Sequence, residues 1–153
     1  MLSRLERLTT EIGARHSKLI LLIGMPRGGK SAVLNSFGER MGALPLSVGA
    51  ELGRRLTPVP YKRRHLEAGD LLRELADQHA HGDLLLIDNI ELLFDKTLQL
   101  DPLDLLKRHA QARKVVAVWP GELHNDRLTY ADMGHPEHQN YALDGVVIFD
   151  TQQ

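Results

Sequence analysis

Residues Ile20-Leu21-Leu22-Ile23-Gly24-Met25-Pro26-Arg27-Gly28-Gly29-Lys30-Ser31 decide how the rest of the chain is read. The unbroken aliphatic run is the pattern of a strand buried on both faces, and Gly24 to Ser31 fits G-x-x-x-x-G-K-S at every fixed position. Gly24, Gly28 and Gly29 reach backbone angles closed to residues with a Cβ. The loop can therefore curl until successive N–H groups point at a polyphosphate. Lys30 brings a mobile charge for the β and γ phosphates, and the Ser31 hydroxyl is a ligand for Mg2+. The helix begun by Ala32 turns its positive end toward the same place. By average composition the fixed positions would coincide by chance on the order of one time in a hundred for a chain this long, so the match is read as a phosphate-binding loop. The nucleotide-binding residues expected from it are Gly24, Pro26, Arg27, Gly28, Gly29, Lys30, Ser31 and Ala32, with ATP and Mg2+ as ligands.

A chain of 153 residues is expected to form one domain. With 19 Lys and Arg against 20 Asp and Glu, overall charge gives no reason for tight binding to nucleic acid or a membrane, so any such contact needs a local patch. The absence of cysteine removes disulfides, thiolate metal sites and cysteine nucleophiles together, and fits a cytoplasmic protein. Leu19 to Ile23 is far too short to cross a bilayer, and the first residues lack the apolar core of a secretion signal.

Ahead of the loop, within residues 1–17, Leu2, Leu5, Leu8 and Ile12 recur at helical spacing over Leu2 to Ala14, which predicts an amphipathic helix covering one side of the core. Lys18 to Ile23 is the first expected strand, and the helix after the loop runs to about Gly42. Leu44 to Val48 is a short second strand. Gly53, Pro58 and Pro60 then mark a connection before a helix from Leu66 to about Gln78. This interval carries Arg54, Arg55, Lys62, Arg63, Arg64 and His65, a basic cluster that is either a solvated surface or a contact to phosphate or DNA.

Asp83-Leu84-Leu85-Leu86-Ile87-Asp88 is a third strand closing on an acid. In a parallel sheet an acid at that end lies beside the phosphate loop, where Asp88 supports the magnesium together with Ser31. Many ATPases of this type follow the acid with a glutamate that activates water. Here position 89 is Asn, so Glu91 is the nearest replacement base. The D-N-I-E run resembles that of some DnaA-like relatives, which implies slow or partner-dependent hydrolysis.

Asp95 to Leu100 is read as a connection, and Pro102 opens a helix through about Ala112. Lys114 to Trp119 is the fourth strand, stopped by Pro120-Gly121 where related folds place a polar γ-phosphate sensor. That sensor is unassigned. Glu122 to Asp144 reads as polar and irregular. It holds Arg127, the only Lys or Arg between the fourth and fifth strands, in the interval from which ring-forming ATPases send an arginine into a neighbour's nucleotide. His135-Pro136-Glu137-His138 reads as a loop with solvated histidines, since proline interrupts the spacing and no second ligand pair is present. Gly145 to Asp150 is the fifth strand, with no helical lid expected after it.

Alternating strands and helices predict an α/β fold: a three-layer α/β/α phosphate-loop NTPase with a mainly parallel five-stranded sheet in the order 5-1-4-3-2. The order follows by analogy with ATPases that insert an extra strand between the loop strand and the acid strand.

The short length, G-M-P-R-G-G-K-S at 24–31, L-L-L-I-D-N-I-E at 84–91, V-V-A-V-W-P-G at 115–121 and Y-A-L-D-G-V-V-I-F-D at 141–150 together resemble the BrxF family, small phosphate-loop proteins of type-three BREX bacteriophage-defence systems. The resemblance implies an ATP-binding, ATP-hydrolysing component that works with other defence proteins on DNA. Three functions stay open. One is an ATPase acting as a homo-oligomer or with partners, with Lys30, Asp88, Glu91 and Arg127 as its catalytic set and Arg54, Arg55, Lys62, Arg63 and Arg64 as a DNA contact. The second is a nucleotide-gated binding module with little hydrolysis, and the third a small-molecule kinase whose arginines clamp an acceptor phosphate. Guanine recognition has no N/T-K-x-D motif behind it, but the choice between ATP and GTP stays open.

Overall fold

Aliphatic runs with no polar alternation need cover on both faces, and every residue of Leu19–Ile23 (β1) and Leu84–Asp88 (β3) is buried in the computed structural model. Residues 1–13, 18–24, 29–130 and 139–152 are described, Gln139 and Asn140 by their backbone alone. Met25, Pro26, Arg27 and Gly28 of the expected phosphate loop, and His135 to His138, lie outside them.

The elements run α1 (Leu2–Ile12), β1, α2 (Gly29–Met41), β2 (Leu46–Ser47), α3 (Val48–Leu56), α4 (Arg64–His79), β3, α5 (Pro102–Ala112), β4 (Lys114–Val118), β5 (Glu122–His124), β6 (Arg127–Tyr130), β7 (Gln139–Ala142) and β8 (Val146–Asp150). Short 3-10 turns cover Tyr61–Arg63, Ile90–Phe94 and Lys96–Leu98. Five strands form one sheet in the order β2-β3-β4-β1-β8, every neighbouring pair parallel. Counting β8 as the fifth parallel strand, this is the expected 5-1-4-3-2 order.

Side-chain alternation along each strand feeds two cores. Ile20, Leu22, Leu84, Leu86, Val116 and Val118 pack with Leu5 and Ile12 of α1 and Leu34 and Phe37 of α2. Leu19, Leu21, Leu85, Ile87, Val115 and Ala117 pack with residues of α3, α4 and α5. Helices thus cover both faces, and α1 closes one side of the core as its periodicity predicts.

Two readings need correction. The second strand is only Leu46–Ser47, because Ser47 accepts a hydrogen bond from the Ala50 amide and caps α3 where a connection was expected. Gly49 and Gly53 hid this helix. Gly49 sits where the α3 backbone approaches β3's exit, its amide donating to the Asn89 carbonyl at 2.9 Å. The interval read as irregular forms an antiparallel sheet, β5-β6-β7. Asn125 and Asp126, at φ 50° and 60°, adopt the positive angles that a type I′ two-residue hairpin demands, with His124 paired to Arg127.

Candidate functional site

The C-terminal ends of β1, β3 and β4 meet the first turn of α2 at one rim of the parallel sheet. At the end of β1, Gly24 has φ +112°, and a Cβ there would lie 2.5 Å from Asp150 Oδ1. The angle therefore calls for glycine, and a larger residue would also have to displace the Asp150 carboxylate. The adjoining end of β8 is locked by Thr151, fully buried, whose hydroxyl and amide donate to the Ile23 carbonyl at 2.7 and 2.8 Å. This residue went unread in the sequence because its partner lies on a strand far away along the chain.

Lys30, in the first turn of α2, reaches across to β4 and donates from Nζ to the Trp119 carbonyl at 2.6 Å. Burial pushes its ammonium below the usual lysine range, while the charges of Glu91, Glu122 and Asp88 pull it back up. Glu122 was not singled out by sequence reasoning. It opens β5 three residues after Trp119, and nothing in its neighbours' pattern announces it.

Asp88 ends β3 and is 8% exposed, its Oδ1 accepting the Asn89 amide at 2.8 Å. Asn89 is left-handed (φ 53°, ψ 53°) and its Nδ2 donates to Ser47 Oγ at 2.9 Å. Its side chain therefore points toward β2, on the side of β3 away from β4 and β1. Glu91 is exposed on the turn that follows. The charge of Glu91 is among those that act on Lys30.

Among the described residues, the charges acting on Lys30 are those of three carboxylates, Glu91, Glu122 and Asp88, a surplus of negative charge that a cation would offset for an incoming polyphosphate. The oxygen donors at hand are the Ser31 hydroxyl and the Asp88 carboxylate, a hard set that fits Mg2+. Among the described residues no three His, Cys, Asp or Glu form a cage for an ion. Mg2+ commonly takes one or two carboxylates and completes its shell with water and phosphate oxygens.

Trp119 is fully buried, and its indole donates to the Thr129 carbonyl at 2.9 Å. Phe94 stacks on Tyr130 at 3.8 Å between ring centroids and meets Trp119 edge-on at 5.4 Å, and Tyr141 meets Trp119 edge-on at the same distance. The Tyr141 phenol is pushed up to about 12, by burial first and then by Asp101 and Tyr130. These rings seat the small sheet against the exits of β3 and β4.

Arg127 stands at the surface on β6, beside the hairpin turn. The basic segment is largely paired within the chain: Arg54 with Glu51 (3.2 Å), Arg55 with Glu74 (3.3 Å) and Gln78 (3.0 Å), Arg63 with Glu67 (4.0 Å). Arg64 donates to the Val59 carbonyl at 3.0 Å and lies over the Tyr61 ring. Lys62 is exposed. No helix among the described residues is long and apolar enough to cross a membrane. No model of a known protein family matches the chain, and no curated protein matches it.

Proposed function

We propose that this chain binds ATP with Mg2+ through a phosphate loop at 24–31 and hydrolyses it, as a cytoplasmic component that works as a homo-oligomer or with partner proteins on DNA. That last context comes from its resemblance to the BREX defence component. The observation that carries the reading is the convergence on Lys30. The lysine of G-x-x-x-x-G-K-S stands in the first turn of α2, with Asp88 from β3 and Glu91 acting on it and β4 inserted between the two strands.

In this reading Lys30 holds the terminal phosphates, and Ser31 and Asp88 hold the metal. Glu91 orients the attacking water, and Arg127 reaches a neighbouring copy's site from its exposed position at the start of β6. Mg2+ supplies charge neutralisation of the phosphate oxygens. Calorimetric titration of the full chain with Mg2+ and ATP tests the binding. Lys30→Met, which keeps the stem and removes the charge, is expected to weaken affinity at least about tenfold, the scale of one lost charge-assisted hydrogen bond. Undiminished affinity would end the reading.

A second reading, a nucleotide-gated module with little turnover, is favoured by one observation: the residue after Asp88 is tied to Ser47 and turned away from Lys30. Phosphate release separates the two. A large drop in Glu91→Gln supports the ATPase, whereas background release unaltered by the substitution supports the module.

A further inference from the structure

Trp119 carries three ties at once. Its amide donates to the Leu22 carbonyl of β1 at 3.0 Å, its carbonyl accepts from Lys30 at 2.6 Å, and its indole donates to Thr129 of β6 at 2.9 Å. Two residues on, the chain passes so close to β6 that a methyl group on Gly121 would overlap the Thr129 carbonyl oxygen. Phe94, a few residues beyond Asp88, packs on both Trp119 and Tyr130. The β5–β7 sheet is thus docked through the same corner that holds the lysine, on the strand whose end has no polar side chain to report on phosphate.

We propose that the β5–β7 sheet is the element that reads nucleotide occupancy: a polyphosphate that draws the Lys30 ammonium from the Trp119 carbonyl loosens the corner by which this sheet is held. The inference rests on the phosphate-site reading above and adds its regulation. A carbonyl in a largely buried corner that loses an ammonium donor must find another, and the position favoured with Lys30 in place is then no longer the best one. The two acceptors compete for one ammonium, so the relation is reciprocal. Nucleotide loosens the sheet, and loosening the sheet tightens nucleotide binding.

The test uses the full chain, calorimetry for affinity and hydrogen exchange for the sheet, with the Mg2+ complex of a non-hydrolysable ATP analogue. At saturation, exchange of amides from Glu122 to Tyr130 is expected to rise about threefold or more while α5 is unaltered, as local opening there becomes easier. Gly121→Ala should raise that exchange without nucleotide and bind the analogue up to about tenfold more tightly, the share of a charge-assisted bond released from competition. If Gly121→Ala does not fold, Trp119→Phe, which keeps an aromatic side chain and drops the indole donor, takes its place with the same expectation. Calorimetric binding with unaltered exchange, or a loosened variant that binds no more tightly, overturns the coupling and leaves the phosphate site standing. Absence of any binding by the unaltered chain overturns both.

Discussion

Asn89 offers a sharp test of why the position after Asp88 is not a glutamate. The residue is left-handed at φ 53° and its side chain donates to Ser47 Oγ at 2.9 Å, while its carbonyl accepts from Gly49. Asn89→Ala keeps the carbonyl, loses the side-chain bond and puts an ordinary Cβ residue into a conformation that asparagine tolerates. The left-handed angle costs about 1 kcal/mol and the exposed bond about 0.5 kcal/mol, so the total is about 1.5 kcal/mol. Asn89→Gly loses only the bond, since glycine takes the angle freely, and costs about 0.5 kcal/mol. For a domain of this size these become drops in Tm of about 3–6 °C and about 1–2 °C. Asn89→Glu should behave like the alanine variant in stability and bring no carboxylate to Lys30, because the side chain leaves β3 toward β2. Urea denaturation of the three variants beside the unaltered chain measures the series. Alanine equal to or better than glycine would refute the left-handed account.

Two further outcomes follow from named contacts. His109 is held below its ordinary value of 6.5 by burial first and then by Arg113, Arg73 and Arg108, with Asp77 opposing. The unfolded chain therefore takes up a proton before the folded one. The stability this contributes is intact above pH 6.5 and is lost as pH falls below it, so urea midpoints at pH 7.5 and 5.5 should differ less in His109→Asn than in the unaltered chain. Asp101 caps α5 by accepting the Asp104 amide at 3.1 Å ahead of Pro102. Asp101→Ala should cost about 1 kcal/mol in urea titration and Asp101→Asn almost nothing, whereas equal losses would mean the cap is not the cause.

Much of the frame is legible without coordinates because a strand covered on both faces has to be aliphatic throughout. The aliphatic runs Leu19–Ile23, Leu84–Ile87 and Val115–Val118 stand out as such, and α5 begins at Pro102 as its first-turn chemistry demands. The elements that escape are those whose local signals conflict. α3 contains two glycines, and its Ser47 cap directly follows a two-residue strand. The β5–β6 hairpin lies in a polar stretch, where only the Asn125-Asp126 pair hints at the turn.

By itself, then, the order of residues determines the G-x-x-x-x-G-K-S pattern, its buried strand, the acid at the end of β3 and the amphipathic helices. Each is a short-range pattern imposed by backbone angle or by periodic burial. What only the tertiary structure decides is which groups act on one another: Lys30 on the carbonyl of Trp119, the charges of Asp88, Glu91 and Glu122 acting on that lysine, Asn89 turned to Ser47, Thr151 locking Ile23. Those pairings join strands far apart in the chain. They depend on close packing between those strands, for which local sequence carries no signal.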